Sequence, residues 1–262
     1  MLHEKLHLHA VQGTARQLEV SLARDEAELR TAQRLRYEVF VKELGATGPL
    51  VDHAARLERD ALDPYCDHLL LKERDTGRVV GVYRLMRADQ AAAAGGFYSD
   101  REYDLGPLLA SGRKLLELGR SCLHPDVRGG AGLQVLWLGL AGYVARHQID
   151  LLFGVGSFQG TDARALAQPL SLLHHRHLAP RRLRVKARED AFQNMNLLAE
   201  EAIDRKAAML QVPGLIRSYL RLGGYVGQGA FVDHAFNTTD VCLMLDTARL
   251  NPRQARLYGA PA

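Results

Sequence analysis

Two short stretches carry residue types that could do chemistry. Glu117-Leu118-Gly119-Arg120 sets an acid and an arginine inside the apolar run LLELGRSCL. A carboxylate enclosed by apolar side chains has its pKa raised toward the range in which it can take a proton at neutral pH. Glu117 is therefore the candidate base, with Arg120 grouped beside it as catalytic. The competing reading is that Glu117 pairs with Arg120 or Arg36 and holds the fold. Further on, Arg128-Gly129-Gly130-Ala131-Gly132 precedes a long apolar helix pattern. A helix N-terminus exposes unpaired N–H groups and the positive end of its dipole. Glycines let backbone approach an anion closely, and an arginine adds a charge-assisted donor. Arg128, Gly129, Gly130 and Gly132 thus form a candidate phosphate cradle. No Gly-Lys-Ser/Thr follows, which excludes a P-loop, and the Gly-x-Gly-x-x-Gly dinucleotide fingerprint is missing.

A second kind of chemistry lies in charge. Residues 163–188 contain no acid but carry Arg164, Arg176, Arg181, Arg182, Arg184, Lys186 and Arg188. Such a block suits an acidic protein partner, an anionic membrane surface or a nucleic acid, or is a solvated basic face. Aromatics are sparse around it and no nucleic-acid-binding motif appears, so no nucleic-acid partner is expected. His3-Glu4-Lys5-Leu6-His7 matches a zinc-protease pattern by letters, yet lies at the N-terminal end with no third ligand in view. No metal is expected. Cys122 stands near the candidate cradle, where an inert buried thiol is favoured over an acyl-cysteine.

The elements that must position these residues follow from periodicity and capping. Residues 17–25 alternate as a strand. Asp25 then caps a helix running through Phe40 to a stop at Gly45. Residues 69–86 read as a hairpin turning at Asp75-Thr76-Gly77. Residues 91–96 are a small-residue linker. Strands at 115–123 and 150–158 flank a helix at 133–147. Further helices are expected at 161–177 and about 194–210, with a short one after Pro213 that Gly223 and Gly224 stop. Residues 182–189 fit either a short strand or an arm. Two last strands cover 225–235 and 240–246. Strands interleaved with helices give an α/β domain with a sheet of mixed strand direction.

The chain has 262 residues with 47% hydrophobic content, enough to bury a sizeable core. No stretch is long and apolar enough to span a bilayer, and the N-terminus lacks the pattern of a secretory signal. Three scattered cysteines fit a reducing compartment, hence a cytoplasmic protein. The expected organisation is a flexible segment at 1–17, a domain at 18–248 with a basic helical insertion at about 161–212, and a tail at 249–262.

The strand, Arg/Gly turn, helix and strand resemble the acyl-donor site of the GNAT (GCN5-related N-acyltransferase) superfamily. There an Arg/Gln-x-x-Gly-x-Gly/Ala loop holds the coenzyme A pyrophosphate. Here the spacing differs by one and Ala131 takes the usual glycine place; a phosphopantetheine arm with one phosphate asks less of such a cradle. Arg36-Tyr37-Glu38-Val39-Phe40, Asp60-Ala61-Leu62-Asp63, Tyr83-Arg84-Leu85-Met86 and Glu117-Leu118-Gly119-Arg120, in that order, resemble the acyl-homoserine lactone synthases. The stretch 223–245, with Asn237-Thr238-Thr239-Asp240, resembles the L-ornithine N-acyltransferases of ornithine-lipid synthesis.

These resemblances imply a GNAT-like mixed central sheet flanked by helices. They also imply an acyltransferase that moves a 3-hydroxyacyl chain from acyl carrier protein to the α-amine of L-ornithine, giving lyso-ornithine lipid. No cofactor would be bound permanently. The phosphopantetheine arm of the carrier would be the donor at Arg128, Gly129, Gly130 and Gly132. Arg84 or Arg36 would grip the acceptor carboxylate. Asp60, Asp63, Asp233 or Asp240 would receive the δ-ammonium, while Arg36, Asp60 and Asp63 also match an ion-pair cluster of the lactone synthases. Arg176, Arg181, Arg182, Arg184, Lys186 and Arg188 would face the carrier or an anionic inner membrane, where a second O-acyltransferase would follow. The alternatives are an acyl-homoserine lactone or other N-acyl amino acid synthase and, remotely, a non-enzymatic membrane-surface or nucleic-acid binder.

Overall fold

The computed structural model describes residues 17–48, 51–128 and 131–250. In chain order its strands and helices are β1 (Leu18–Leu22), α1 (Glu26–Arg36), β2 (Val51–Asp52), β3 (Leu57–Glu58), β4 (Asp67–Glu73), β5 (Val79–Arg87), α2 (Ala88–Ala94), β6 (Tyr103–Asp104), α3 (Gly106–Leu109) and β7 (Leu115–Leu123). There follow α4 (Ala131–His147), β8 (Leu151–Gln159), α5 (Ala167–His177), β9 (Lys186–Ala187), β10 (Phe192–Gln193), α6 (Arg205–Gln211), α7 (Gly214–Arg221), β11 (Tyr225–Val226), β12 (Ala230–Asp233) and β13 (Thr238–Asp246). The described chain forms two compact units, one from residues up to Met86 with Leu118–Gln148, the other from Arg87–Glu117 with Ile149 onward. Strand β7 gives Leu115–Glu117 to the second unit and Leu118–Leu123 to the first. The N-terminal segment 1–16, with its His-Glu-x-x-His letters, lies outside the described residues, as does the tail beyond 250.

In the first unit β1 and β5 flank β4 in antiparallel fashion, and β7 follows β5. Helix α1 starts where Asp25 accepts the Glu28 N–H at 2.9 Å, the acidic cap expected from the sequence. Its apolar stripe, Ala32 and Leu35 with Val39 beyond it, buries against Leu70, Val82 and Cys122. Past Arg36 the helix does not stay α. Residues Tyr37–Glu43 form a π-helix before Gly45, at φ 74°, ends it. Helix α4 rests on β1 so closely that a Cβ on Gly139 would stand 2.6 Å from a Val20 methyl. Only glycine allows that approach. The Tyr143 hydroxyl at 2.5 Å from Asp67 pins the same helix to β4.

In the second unit the Leu115–Glu117 part of β7 runs parallel to β8. The β8 strand pairs antiparallel with β13, which carries β12 and β11, and β10 closes that edge. The mixed strand direction matches expectation. Several boundaries do not. The helix expected at 194–210 begins only at Arg205. Asn194 accepts the Asn196 N–H at 2.9 Å, and the buried Ser171 hydroxyl accepts from Leu197 and Leu198 at 3.1 and 3.0 Å. These bonds hold the segment non-helical until Asp204 caps α6. The helix expected from 161 begins at Ala167. The small-residue stretch at 91–96 is mostly helix α2, since alanine favours helix, with Gly95 as its left-handed cap. Residues 182–189 combine a 3₁₀ turn at Arg181–Leu183 with β9, which pairs with β6. The strand expected at 225–235 is divided into β11 and β12 around Gly229, at φ 77°.

Candidate active site

Three arginines and three carboxylates from four parts of the sequence meet in the first unit. Arg36, at the end of α1 and 0% exposed, donates from Nε to Glu58 at 2.5 Å and from Nη1 to Asp63 at 2.8 Å. Arg84 on β5 reaches Asp60 at 2.5 Å and Asp63 at 3.0 Å. Arg120 on β7 stands 3.3 Å from Glu58 and 3.1 Å from Asp60. Gln33 donates to the second Asp63 oxygen at 2.9 Å, and Asp60 accepts the Leu62 N–H at 2.8 Å. The charges balance, which is the condition for burying so many ions. Burial alone would raise the Asp63 carboxyl, yet Arg36 and Arg84 outweigh it and hold the group well below the usual carboxylate range. Asp60 is lowered in the same way, burial being overcome by Arg84 and Arg120. At Arg120 the backbone enters the left-handed region at φ 51°. A non-glycine residue accepts that at a cost on the order of 1 kcal/mol. The ion pairs to Glu58 and Asp60 fix it there.

The turn before α4 is also in the first unit. Gly129 and Gly130 lie outside the described residues. Gly132 is required for packing, because a Cβ there would stand 2.8 Å from the Val127 carbonyl oxygen. Arg128 is fully engaged. Its Nε donates to the Leu123 carbonyl at 2.9 Å, and its two terminal nitrogens fork onto the Glu43 carboxylate, Nη2 to Oε2 at 2.7 Å and Nη1 to Oε1. Cys122 is buried, which pushes its thiol up to about 12 and keeps it protonated at neutral pH.

In the second unit Glu117 is 4% exposed, and its carboxylate caps a 3₁₀ turn. Tyr98 N–H donates to Oε2 at 2.9 Å and Ser99 N–H to Oε1 at 2.7 Å. The carboxylate is thereby held in one orientation. Asp233 and Asp240 come together with Glu102, so that one oxygen of each lies within 4.8 Å of the others. Asp240 and Glu102 are buried. The Tyr103 hydroxyl donates to the Asp240 carbonyl at 2.9 Å, with the Gly229 carbonyl at 3.1 Å. Such a carboxylate group can receive a cation, whether ammonium or metal.

The basic segment divides into two kinds of side chain. Arg176 pairs with Glu200 at 3.0 Å and Lys186 with Glu189; Arg184 donates to the Ala179 carbonyl at 2.7 Å and Arg188 to the Asp100 carbonyl at 2.5 Å. Arg181 and Arg182 are exposed and have no ion pair among the described residues.

An acetyltransferase (GNAT) domain is matched over residues 35–138. Among solved structures, FeeM, an N-acyl amino acid synthase from uncultured soil microbes, matches with a TM-score of 0.52 at 11% identity, over 89% of this chain and 93% of its own. The AHL synthase LasI matches with a TM-score of 0.51 at 17% identity, over 95% and 98%. At such identities these likenesses show the fold, which is the GNAT-like mixed sheet flanked by helices. The L-ornithine N(alpha)-acyltransferase of Rhodobacter capsulatus is 59% identical over 245 residues, 92% of this chain and 94% of the relative. That of Brucella abortus is 41% identical over 259 residues, 96% and 92%. The chain belongs to the L-ornithine N(alpha)-acyltransferase family. It is an acyltransferase.

Of the residues singled out in the sequence of this family member, Arg36, Asp60, Asp63, Arg84, Glu117, Arg120 and Arg128 fall inside the matched domain. Asp233, Asp240 and the basic segment lie beyond it. Sequence reasoning missed Glu58, Gln33, Glu43, Glu102 and the Tyr98–Ser99 amides. Glu58 stands among charged neighbours, where one acid carries no signal, and Glu43 beside Lys42 reads as an ordinary acid near a helix end. Glu102, among Asp100, Arg101 and Asp104, had none either.

Proposed function

We propose that this acyltransferase moves a 3-hydroxyacyl group from the phosphopantetheine arm of acyl carrier protein to the α-amine of L-ornithine. The observation that carries the reading is the 59% identity over 92% of the chain to an L-ornithine N(alpha)-acyltransferase. The thioester brings the reactive group, so no permanently bound cofactor is needed. An ammonium is not a nucleophile, so a base must first take its proton. Glu117 is assigned this step, directly or through water, on the resemblance carried by its Glu-x-x-Arg strand. The amine then attacks the thioester carbonyl and a tetrahedral oxyanion forms, for which a backbone N–H of the Leu118–Leu123 part of β7 is the expected donor. Collapse breaks the carbon–sulfur bond, and the departing thiolate is reprotonated. Transfer is direct, which the protonated Cys122 thiol supports.

Arg36, Asp60 and Asp63 hold the ion cluster. The acceptor carboxylate is assigned to its guanidinium edge, at Arg84 or the more exposed Arg120. In the second unit Asp233 and Asp240, joined by Glu102, form a carboxylate group that suits an ammonium. The donor phosphate is assigned to Arg128, with Gly129, Gly130 and Gly132 as the resemblance implies. Arg181 and Arg182 are the side chains of the basic segment best placed to meet an acidic carrier, and they also suit an anionic inner-membrane face where an amphipathic product would leave. The free 3-hydroxyl of lyso-ornithine lipid calls for a second O-acyltransferase. Among the described residues no helix is long and apolar enough to cross a membrane. The test is to incubate the protein with 3-hydroxyacyl carrier protein and ornithine, lysine, glutamine, glycine or S-adenosylmethionine, reading products by mass spectrometry. An ornithine adduct is expected. A product with another amine only would place the chain in a sister branch, and no product with intact donor would overturn the reading.

A further inference from the structure

The candidate phosphate-binding arginine is not waiting for a phosphate. Both terminal nitrogens of Arg128 are taken by Glu43, and Nε is taken by the Leu123 carbonyl. A bidentate carboxylate occupies the same fork that a phosphate would use. Glu43 is held by the last turn of the π-helix, far from β7 in sequence, so this is a tertiary contact and not a local accident. Each partner retains 38% side-chain exposure, so an anion from solvent can reach the pair. Arg128, by its hydrogen bond first, holds the Glu43 carboxyl below its ordinary value, with the nearby His124 adding to the effect. The carboxylate is thus anionic at working pH.

We propose that Glu43 is a donor-selecting residue: a fixed negative charge in the Arg128 fork that disfavours the polyanionic coenzyme A donor relative to the singly charged phosphopantetheine arm of a carrier protein. This deepens the reading above and rests on its assignment of the donor phosphate to Arg128. The physics is a matter of charge number. Free coenzyme A brings a pyrophosphate and a further phosphate, the carrier arm one phosphodiester. Repulsion from a single carboxylate grows with ligand charge, so it falls several times harder on coenzyme A. A carrier also gains contacts elsewhere on its surface, which free coenzyme A lacks.

The test measures binding of coenzyme A and of uncharged pantetheine by calorimetry at low salt, for wild type, Glu43→Gln, Arg128→Gln and the double variant. Glu43→Gln is close to isosteric at a half-exposed site. It should tighten coenzyme A by roughly tenfold and leave pantetheine unchanged, with the gain shrinking as salt is added. In the Arg128→Gln background the same exchange should gain less than about threefold, since the fork is gone. Kinetics give a second readout: Glu43→Gln should lower the KM for acyl-coenzyme A more than that for acyl carrier protein. Unchanged or weaker coenzyme A binding in Glu43→Gln, equal tightening of pantetheine, or no coenzyme A binding by any variant would overturn the proposal. Failure of the functional reading shows differently. If neither donor yields acyl-ornithine while Glu43→Gln still tightens coenzyme A, the functional reading falls and donor selection falls with it, leaving only the charge effect of Glu43 on anion binding. If wild type makes acyl-ornithine from the carrier and Glu43→Gln leaves coenzyme A binding untouched, the functional reading stands and donor selection alone falls.

Discussion

Both oxygens of Glu117 accept backbone N–H groups, so exchanging the carboxylate for an amide changes two things at once. In Glu117→Gln the amide nitrogen cannot accept, which leaves the Tyr98 or Ser99 N–H unsatisfied at a cost of about 1–3 kcal/mol. If Glu117 is also the base, kcat should fall by roughly 10²–10⁴ beyond what lost folding explains, and the acidic limb of the pH–rate profile should disappear. Thermal unfolding and kcat measured on the same preparation separate the two effects; a rate loss that merely tracks the folded fraction would leave Glu117 structural. Cys122→Ala makes the opposite case. With its thiol pushed up to about 12 it carries no charge to lose, so turnover should persist within about threefold. At this scale the sequence was most legible where a residue contradicted its surroundings. An acid and an arginine in an apolar strand stand out. Glu58, amid Arg56, Arg59 and Asp60, does not, although it completes the ion cluster with Arg36 and Arg120.

Elements show which interactions the fold depends on. Arg36 ends α1 and ties it to the 57–63 segment through Glu58 and Asp63. Arg36→Met would leave two buried carboxylates short of their counter-ion and should destabilise by about 3–5 kcal/mol in urea titration. Gly132→Ala places a methyl 2.8 Å from the Val127 carbonyl, so the first turn of α4 must move. About 1–3 kcal/mol of stability should be lost. A loss of donor affinity with no change in stability would instead favour the cradle alone as the reason for the glycine. Helices and strands with strong periodicity and caps, such as α1, α4, β7 and β8, were readable from spacing. The 194–204 segment was not, because its conformation is set by the Ser171 hydroxyl on a distant helix, which sequence spacing cannot reveal.

For the molecule as a whole, acid should act in two stages. His68, His174 and His177 are lowered by burial, so the unfolded chain takes up protons first as pH falls below about 6.5 and stability begins to decline. The larger loss comes later. Asp60, Asp63 and Glu28 have folded-state values below their unfolded ones, Glu28 at about 2 because Arg24 and Lys72 outweigh its burial. Their contribution is complete above the unfolded carboxylate range and is lost as pH drops from about 4.5 toward 2. Denaturant midpoints taken from pH 7 to pH 3 should therefore fall gently, then steeply; a single step confined to pH 6–7 would contradict this. Exposed charge makes a separate prediction. Arg181→Glu with Arg182→Glu should raise the KM for the carrier by about tenfold at low salt and leave kcat near wild type, with the difference narrowing as salt rises. No change at low salt would remove these two arginines from any carrier-facing role. Mixed strand direction was legible in the alternation of elements. The division into two compact units, each using part of β7, was not, since nothing in that strand's residues marks the change at Glu117.

The π-helical stretch sets a constraint on chain length that no single side chain reveals. Arg36 precedes it and Glu43 closes it, and each must meet a partner in another segment. In an α-helix one residue more or less turns everything downstream by about 100° and shifts it by about 1.5 Å. Relaxing the same seven residues to an ordinary α-helix, with none deleted, would keep Arg36 in phase with Glu58 and Asp63 and swing Glu43 off Arg128. Two duties are thus carried on one helix at separate rotational phases, and the wide turns are what reconcile them.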